Sequence, residues 1–139
     1  MIVLDSHIWY WWLMQAHHRL PAGVQRCIEE SPRIGVSPVS CFELSLAHRR
    51  GRLELPLPPQ EWFPLALAGS GIELLPLTDS MCVRATRLTD VHRDPFDRII
   101  IATALELNAR LASADSLFAG YPELHGHLMG QPAAASPTP

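Results

Sequence analysis

Short runs of apolar residues alternate along this chain with longer segments whose apolar positions recur at helical spacing. The short runs are rich in branched side chains, which is typical of strands buried on both faces of a parallel sheet. They predict four strands, at residues 1–4, 33–37, 72–77 and 110–113. The longer segments predict six helices, at residues 7–18, 21–30, 40–50, 60–67, 78–88 and 95–108.

Strands that alternate with helices form parallel sheets with crossover helices on both faces. We therefore expect an α/β fold, a three-layer α/β/α sandwich with a central parallel sheet. The 139 residues are 47% hydrophobic, which is enough for one core, and we expect a single domain over residues 1–129. Residues 130–139 repeat Ala and Pro and are expected to form a flexible C-terminal tail.

The start of the sixth predicted helix carries two carboxylates in one turn. Asp94 is a good N-cap, Pro95 suits the first helical position, and Asp97 lies at the positive end of the helix dipole. If the Asp94 side chain accepts hydrogen bonds from the free backbone N–H groups of this turn, Asp97 is the carboxylate that is left to face outward and bind a cation. A buried, well-capped helix without chemistry is the simpler explanation of this segment taken alone.

Other acids are expected at the same edge of the sheet. Asp5 follows the first strand, Glu43 opens the third helix, Asp97 opens the sixth helix and Asp115 follows the fourth strand. The functional crevice of an open parallel sheet lies beyond the carboxyl ends of its strands. The spacing of Ser40 and Glu43 is also typical of a capping box, which is the favoured explanation of Glu43 on its own. The convergence of four acids from four separate segments favours a functional site over helix capping.

Carboxylates held close together must either bind protons or bind a hard divalent cation. The oxygen-only ligand set, with no supporting cysteine or histidine cluster, favours Mg²⁺ or Mn²⁺ over Zn²⁺. Such ions bind phosphate oxygens and activate water for in-line displacement. The sequence therefore predicts phosphodiester hydrolysis.

Composition narrows the function further. The formal net charge of −3 gives no overall basic signature, but an acidic metal site is itself negative until the ion binds. The three cysteines, Cys27, Cys41 and Cys82, are widely spaced and predict buried free thiols. The longest apolar runs are far shorter than the roughly 20 residues of a membrane span, so we expect a soluble, cytoplasmic protein with no membrane partner.

Four segments of the chain also carry a family resemblance. They are residues 1–5, residues 40–43 with Gly51-Arg52-Leu53 after them, residues 94–98 with Ile-Ala-Thr-Ala after them, and residues 111–115. In their order and spacing, over residues 1 to about 120, the chain resembles the PIN-domain nucleases and, more narrowly, the VapC-type toxins of bacterial toxin–antitoxin pairs. The resemblance implies an Mg²⁺-dependent endoribonuclease, usually a homodimer, that cleaves RNA and is neutralised by a cognate antitoxin.

The resemblance also implies roles for single residues. The acids that match the family's catalytic and metal-binding set are Asp5, Glu43, Asp97 and Asp115. Asp94 is an additional candidate ligand, so the choice between Asp94 and Asp97 as the direct ligand stays open. The residues expected to face the substrate are Ser6, Ser113 and Arg98, with Arg98 on RNA phosphates. The cluster Arg49-Arg50-Arg52 is explained equally well by phosphate binding or by a cation-rich helix C-terminus.

Several alternatives remain at this stage. A receiver domain or a haloacid-dehalogenase-type phosphatase is excluded because both rely on a lysine, and all 11 basic residues of this chain are Arg. A catalytically silent PIN-fold binding module and a DNA-directed PIN-like nuclease stay open. We also predict that Trp9 and Trp12, with the helix after Ser40, form a groove for the antitoxin's apolar segment.

Overall fold

Five short parallel strands form the central sheet of the computed structural model, which describes residues 1–129. The strands are β1 (Ile2–Leu4), β2 (Ile34–Val36), β3 (Ile72–Leu74), β4 (Arg110–Ala112) and β5 (Leu128–Met129). Their order is β3-β2-β1-β4-β5, and Val3 in the central strand pairs with Gly35 on one side and Leu111 on the other. The four predicted strands are confirmed as shorter segments. The sequence did not predict β5, because two residues are too few to show a period.

Six α-helices lie within residues 1–129. They are α1 (Ser6–Leu13), α2 (Val24–Glu30), α3 (Pro38–Arg49), α4 (Pro59–Leu67), α5 (Asp79–Arg87) and α6 (Pro95–Glu106). Short 3₁₀ turns occur at His17–Arg19, Ser116–Gly120 and Pro122–Leu124. None of the helices in this part of the chain has the length and apolar character needed to cross a membrane. The predicted tail, residues 130–139, lies outside the described residues.

The alternating side chains of β1 enter two separate cores. Val3 packs with Ile100 and Ile101 of α6 on one face of the sheet. Ile2 and Leu4 face the other side, in a core with residues of α1 and α2. Because successive side chains of a strand point to opposite faces, helices cover the sheet on both sides. The predicted three-layer α/β/α sandwich is confirmed.

Three helices, α1, α3 and α4, begin earlier than the sequence predicted, and the first two carry residues of the acidic edge. Asp5 is the N-cap of α1, since its Oδ1 accepts a hydrogen bond of 3.0 Å from the Ile8 N–H. Ser37 is the N-cap of α3, and Pro38 occupies the first helical position. Pro38 is favoured there because its φ already suits a helix and it has no N–H to satisfy. The predicted capping box at Ser40 is therefore wrong.

The aromatic residues of α1 mostly serve the core. Trp9 is fully buried, with its ring centroid 5.7 Å from that of Phe63 and 6.3 Å from that of Trp62, both in α4. Trp12 is half-buried, and its ring contacts that of His17 at 4.5 Å between centroids. The prediction that Trp9 lines an open groove for a partner is wrong, because α4 covers it.

All three cysteines are free thiols, as predicted. Cys27 is buried in the core between the sheet and α2, and Cys41 is half-buried. Cys82 is exposed on α5, so the predicted burial is wrong for this residue.

Candidate metal centre and adjoining groove

A pocket of about 380 Å³ at the carboxyl edge of the sheet contains every acid that the sequence singled out. Its carboxylates come from Asp5, Glu43, Asp94, Asp97 and Asp115. Ser6, His7, Trp11 and Ala114 complete the lining. These acids are widely separated in the sequence, and the crossover connections of the parallel sheet bring them together.

Asp5 is the most deeply buried of these acids, at 6% exposure. Burial raises its pKa to about 6, although hydrogen bonds from Ser113 and the Ile8 N–H oppose the shift. Ser113 has no exposed surface, and its Oγ also accepts a hydrogen bond of 3.0 Å from the Asp115 N–H. Ser113 therefore connects two of the acidic segments, and its burial does not agree with the predicted contact with substrate.

Glu43 is held by the first residue of α1. The Ser6 hydroxyl donates a 2.6 Å hydrogen bond to Glu43 Oε1, and the Ser6 and Ser40 hydroxyl oxygens are 2.9 Å apart. Because α3 begins at Pro38, Glu43 lies in its second turn and is not used to cap the helix. Ser6 is only 2% exposed and lines the acidic pocket, where its hydroxyl orients Glu43; its predicted contact with substrate stays a prediction.

The start of α6 agrees with the sequence prediction. Asp94 is the N-cap, and its Oδ1 accepts a 3.0 Å hydrogen bond from the Phe96 N–H. Asp97 lies in the first turn with its side chain 17% exposed. Carboxylate oxygens of Glu43, Asp94 and Asp97 all lie within 4.8 Å of one another. Both Asp94 and Asp97 therefore reach the same point.

Asp97 experiences the strongest electrostatic perturbation in this pocket. Burial, and after it the negative charges of Asp94, Glu43, Asp115 and Asp5, raise its pKa to about 8. No arginine is present among the described residues that line the pocket. A bound proton lowers this repulsion, and a hard divalent cation does the same with greater charge. The donor set fits Mg²⁺ or Mn²⁺.

His92 is a site residue that the sequence analysis missed. Its Nε2 lies 3.7 Å from Asp97 Oδ2, and ligand atoms of His92, Asp97 and Asp115 are mutually within 4.8 Å. Its Nδ1 lies 3.1 Å from the Tyr121 hydroxyl. Little in the sequence indicated this role, because His92 stands in an irregular segment before a helix and its partner Tyr121 is distant in the sequence.

Arg98 does not face this pocket. Its guanidinium donates hydrogen bonds to the backbone carbonyls of Ala85 (3.0 Å), Leu88 (2.9 Å) and Thr89 (3.2 Å), and its side chain is 11% exposed. A further bond reaches the His92 carbonyl at 3.3 Å. These carbonyls belong to the end of α5 and the connection to α6, where helical partners are lacking. This placement does not agree with the predicted contact between Arg98 and RNA phosphates.

A groove of about 460 Å³ adjoins the acidic pocket and shares His7, Trp11, Glu43 and Asp94 with it. Its basic lining residues are Arg19, Arg50 and Arg52, and its aromatic ones are Tyr10, Trp11 and Phe96. The Arg19 guanidinium lies 5.0 Å from the centre of the Trp11 ring. The predicted arginine cluster is thus divided, since Arg49 instead lies beside the exposed ring of Phe42.

Comparison with known proteins identifies the family. A sequence profile of the PIN domain matches residues 2–124. The chain belongs to the PIN-domain family. The PIN domain described here is similar to ribonuclease VapC22 of Mycobacterium tuberculosis, with 32% identity over 115 residues, or 82% of this chain and 86% of VapC22. The resemblance found in the sequence is therefore confirmed.

Two solved structures show the same fold as this PIN domain. VapBC2 from Rickettsia felis, bound to a DNA fragment from its promoter, matches with a TM-score of 0.66 and 17% identity, covering 93% of this chain and 98% of that chain. A toxin–antitoxin complex from Klebsiella pneumoniae matches with a TM-score of 0.58 and 17% identity, covering 93% of this chain and 96% of that chain.

Proposed function

We propose that this PIN domain is a metal-dependent endoribonuclease and the toxin of a toxin–antitoxin pair. The single observation that carries the proposal is the pocket of five carboxylates, in which the pKa of Asp97 is raised to about 8. The relationship to ribonuclease VapC22, at 32% identity, supports RNA as the substrate.

The proposed ion is Mg²⁺ or Mn²⁺, held by Asp5, Asp97 and Asp115, with Glu43 and Asp94 beside them. When bound, the ion stabilises charge on the phosphate oxygens and activates a water molecule for attack on phosphorus. Burial of Asp5 and the crowding around Asp97 favour this binding, because the carboxylates gain more from a cation here than they would in open solvent.

The other residues of the site position these acids. Ser6 fixes Glu43 through its 2.6 Å hydrogen bond, and Ser113 connects Asp5 to the backbone of Asp115. Both serines are buried and therefore have few alternative rotamers. The carboxylates are thus held in one arrangement before substrate binds, which lowers the reorganisation needed for reaction.

The groove beside the pocket is the proposed path of the RNA strand. Arg50 and Arg52 are exposed there and can pair with phosphates, while Trp11 and Phe96 offer aromatic faces to unstacked bases. Positive charge combined with aromatic rings is typical of proteins that bind single-stranded nucleic acid. We therefore propose cleavage in a single-stranded loop or end.

The proposed protein partners follow from the family. The Klebsiella pneumoniae structure with the same fold is a toxin–antitoxin complex, which supports a cognate antitoxin as a partner of this chain. The homodimer expected from the sequence also remains a proposal. Sedimentation of the purified chain, alone and co-expressed with the product of an adjacent reading frame, tests both.

Cleavage of matched RNA and DNA oligonucleotides tests the activity. The full chain, freed of any partner, is incubated with each oligonucleotide in Mg²⁺, in Mn²⁺ and in chelator. We expect cleavage of RNA with metal, none in chelator, and none by the Asp97→Asn variant. Asp90→Asn is the matched control, because the Asp90 side chain is fully exposed outside the pocket. Cleavage of DNA alone, or of neither substrate, contradicts the proposal.

A further inference from the structure

His92 presents a buried ring nitrogen to Asp97 and Asp115, two of the acids that line the pocket. Nε2 is buried and has no hydrogen-bond partner within residues 1–129. The Asp97 carboxylate lies close to it, with 3.7 Å between Nε2 and Oδ2. Buried polar atoms are nearly always paired, so an unpaired nitrogen facing carboxylates indicates a missing partner.

The orientation of the imidazole is fixed from the opposite side. The Tyr121 hydroxyl lies 3.1 Å from His92 Nδ1, and Tyr121 is only 2% exposed. The ring of Tyr121 meets that of His92 edge-on at 5.3 Å between centroids, and the ring of Phe118 lies at 5.9 Å. Histidines that bind metals usually have their second ring nitrogen held in this way, which leaves the first nitrogen for the ion.

The distance between His92 Nε2 and Asp97 Oδ2 is the distance expected between two atoms that bind the same metal ion. At 3.7 Å it is too long for a hydrogen bond. Two atoms that each lie about 2.1–2.3 Å from a common ion are separated by about 3–4.5 Å, depending on the angle between them. Asp115 fits the same requirement, because its carboxylate, Asp97 and His92 offer ligand atoms within 4.8 Å of one another.

We propose that His92 Nε2, together with Asp97 and Asp115, binds the divalent ion directly, and that this nitrogen makes the site prefer Mn²⁺ to Mg²⁺. Mg²⁺ is bound almost entirely by oxygen atoms, whereas transition metals accept imidazole readily. This inference rests on the metal site of the proposed function. It adds a ligand that an all-carboxylate site lacks, and it selects between the two ions.

Pulsed electron paramagnetic resonance of bound Mn²⁺ tests the contact directly. The full chain is stripped with chelator, dialysed and loaded with Mn²⁺ below one equivalent. We expect hyperfine coupling to an imidazole nitrogen in the wild-type protein and its loss in His92→Asn. The asparagine amide can still reach the Tyr121 hydroxyl but has no atom in the place of Nε2. The exposed His125 provides the matched control, His125→Asn, which should keep the coupling.

Titration of the same proteins with each ion gives the second measurement. Loss of a residue that only supports a metal ligand typically costs about 10–100-fold in affinity, so we expect the Kd for Mn²⁺ to rise by at least about 10-fold in His92→Asn, with a smaller rise for Mg²⁺. Tyr121→Phe removes only the hydroxyl and should weaken Mn²⁺ binding by a smaller factor. His125→Asn should bind both ions like the wild type.

The possible results separate this inference from the proposed function. Wild-type protein that binds Mn²⁺ without nitrogen coupling, or His92→Asn with unchanged Kd while Asp97→Asn has lost binding, overturns the role of His92 only. Wild-type protein that binds neither ion overturns the metal site as well. If His92→Asn does not fold, the spectrum of the wild type still decides the question.

Discussion

Asp97→Asn removes one negative charge from the acidic pocket without changing the shape of the side chain. In the folded protein, burial and the neighbouring carboxylates raise the pKa of Asp97 from 3.8 to about 8. Without metal, the folded state therefore keeps a proton that the unfolded chain releases. The stability contributed by this group is complete below pH 3.8 and is lost as the pH rises toward 8.

The size of the effect follows from the two pKa values. One pH unit corresponds to about 1.36 kcal/mol, so the interval from 3.8 to pH 7 amounts to about 4 kcal/mol. The side chain is 17% exposed and water screens part of the repulsion, so we expect about half of this, roughly 2 kcal/mol. In chelator at pH 7, Asp97→Asn should therefore be more stable than the wild type, with a Tm higher by roughly 5–8 °C.

Thermal unfolding followed by circular dichroism measures this difference. In chelator, Asp97→Asn should have a clearly higher Tm than the wild type at pH 7, and the difference should be less than half as large at pH 5. At pH 5 the measuring pH lies closer to 3.8, the pKa of the unfolded chain, so less stability of the wild type has been lost. Addition of Mg²⁺ or Mn²⁺ should raise the Tm of the wild type and leave that of Asp97→Asn nearly unchanged. Asp90→Asn, with a fully exposed side chain, should behave like the wild type.

Two results refute the reasoning. One is an Asp97→Asn protein that is less stable than the wild type in chelator at pH 7. The other is a gain that does not depend on pH, since crowding of ionised carboxylates then cannot be its cause. A Tm increase with metal in Asp97→Asn equal to that of the wild type separately contradicts the role of Asp97 as a ligand.

The remaining predictions concern metal, catalysis and substrate. Stabilisation by bound metal should increase from pH 6 to 8, because the ion must displace the proton on Asp97. Calorimetric titration at several pH values measures the metal affinity, and an affinity that does not increase with pH contradicts the prediction. Ser6→Ala should reduce cleavage about 10-fold with little change in Tm, because Glu43 loses its 2.6 Å hydrogen bond; full activity in single-turnover assays contradicts this. Changing both Arg50 and Arg52 to Ala should weaken RNA binding without changing kcat. The slope of log K against log salt concentration should fall by about two ions, because two phosphate contacts are lost. If fluorescence anisotropy gives an unchanged slope, the RNA does not bind along this groove.

The sequence was most informative where local chemistry decides the structure. Asp94 and Pro95 predict the start of α6 correctly, because an N-cap acceptor and a residue with preset φ act within one turn. The positions of Asp5 and Asp115 follow from the sheet, since Asp5 comes directly after β1 and Asp115 lies shortly after the end of β4. A strand order was not needed to expect them at one edge.

The errors arose where distant residues decide the outcome. Trp9 stands in a run of aromatic residues, from which the sequence predicted an exposed surface. In the structure, contact with α4 buries its ring. Arg98 stands next to Asp97 in the sequence, yet its guanidinium donates hydrogen bonds to the unpaired carbonyls at the end of α5. His92 acquires its orientation from Tyr121, which lies 29 residues further along the chain. None of these contacts leaves a periodic signal in the sequence.

The carbonyl contacts of Arg98 have a consequence for control of the protein. They connect the end of α5 to the segment that precedes α6. An outward movement of that segment would leave the Arg98 guanidinium without these hydrogen-bond partners inside the fold. These hydrogen bonds therefore oppose an outward movement of this side of the acidic pocket. An inhibitor that covered the entrance of the pocket would leave these hydrogen bonds intact, whereas one that rearranged this segment would have to break them.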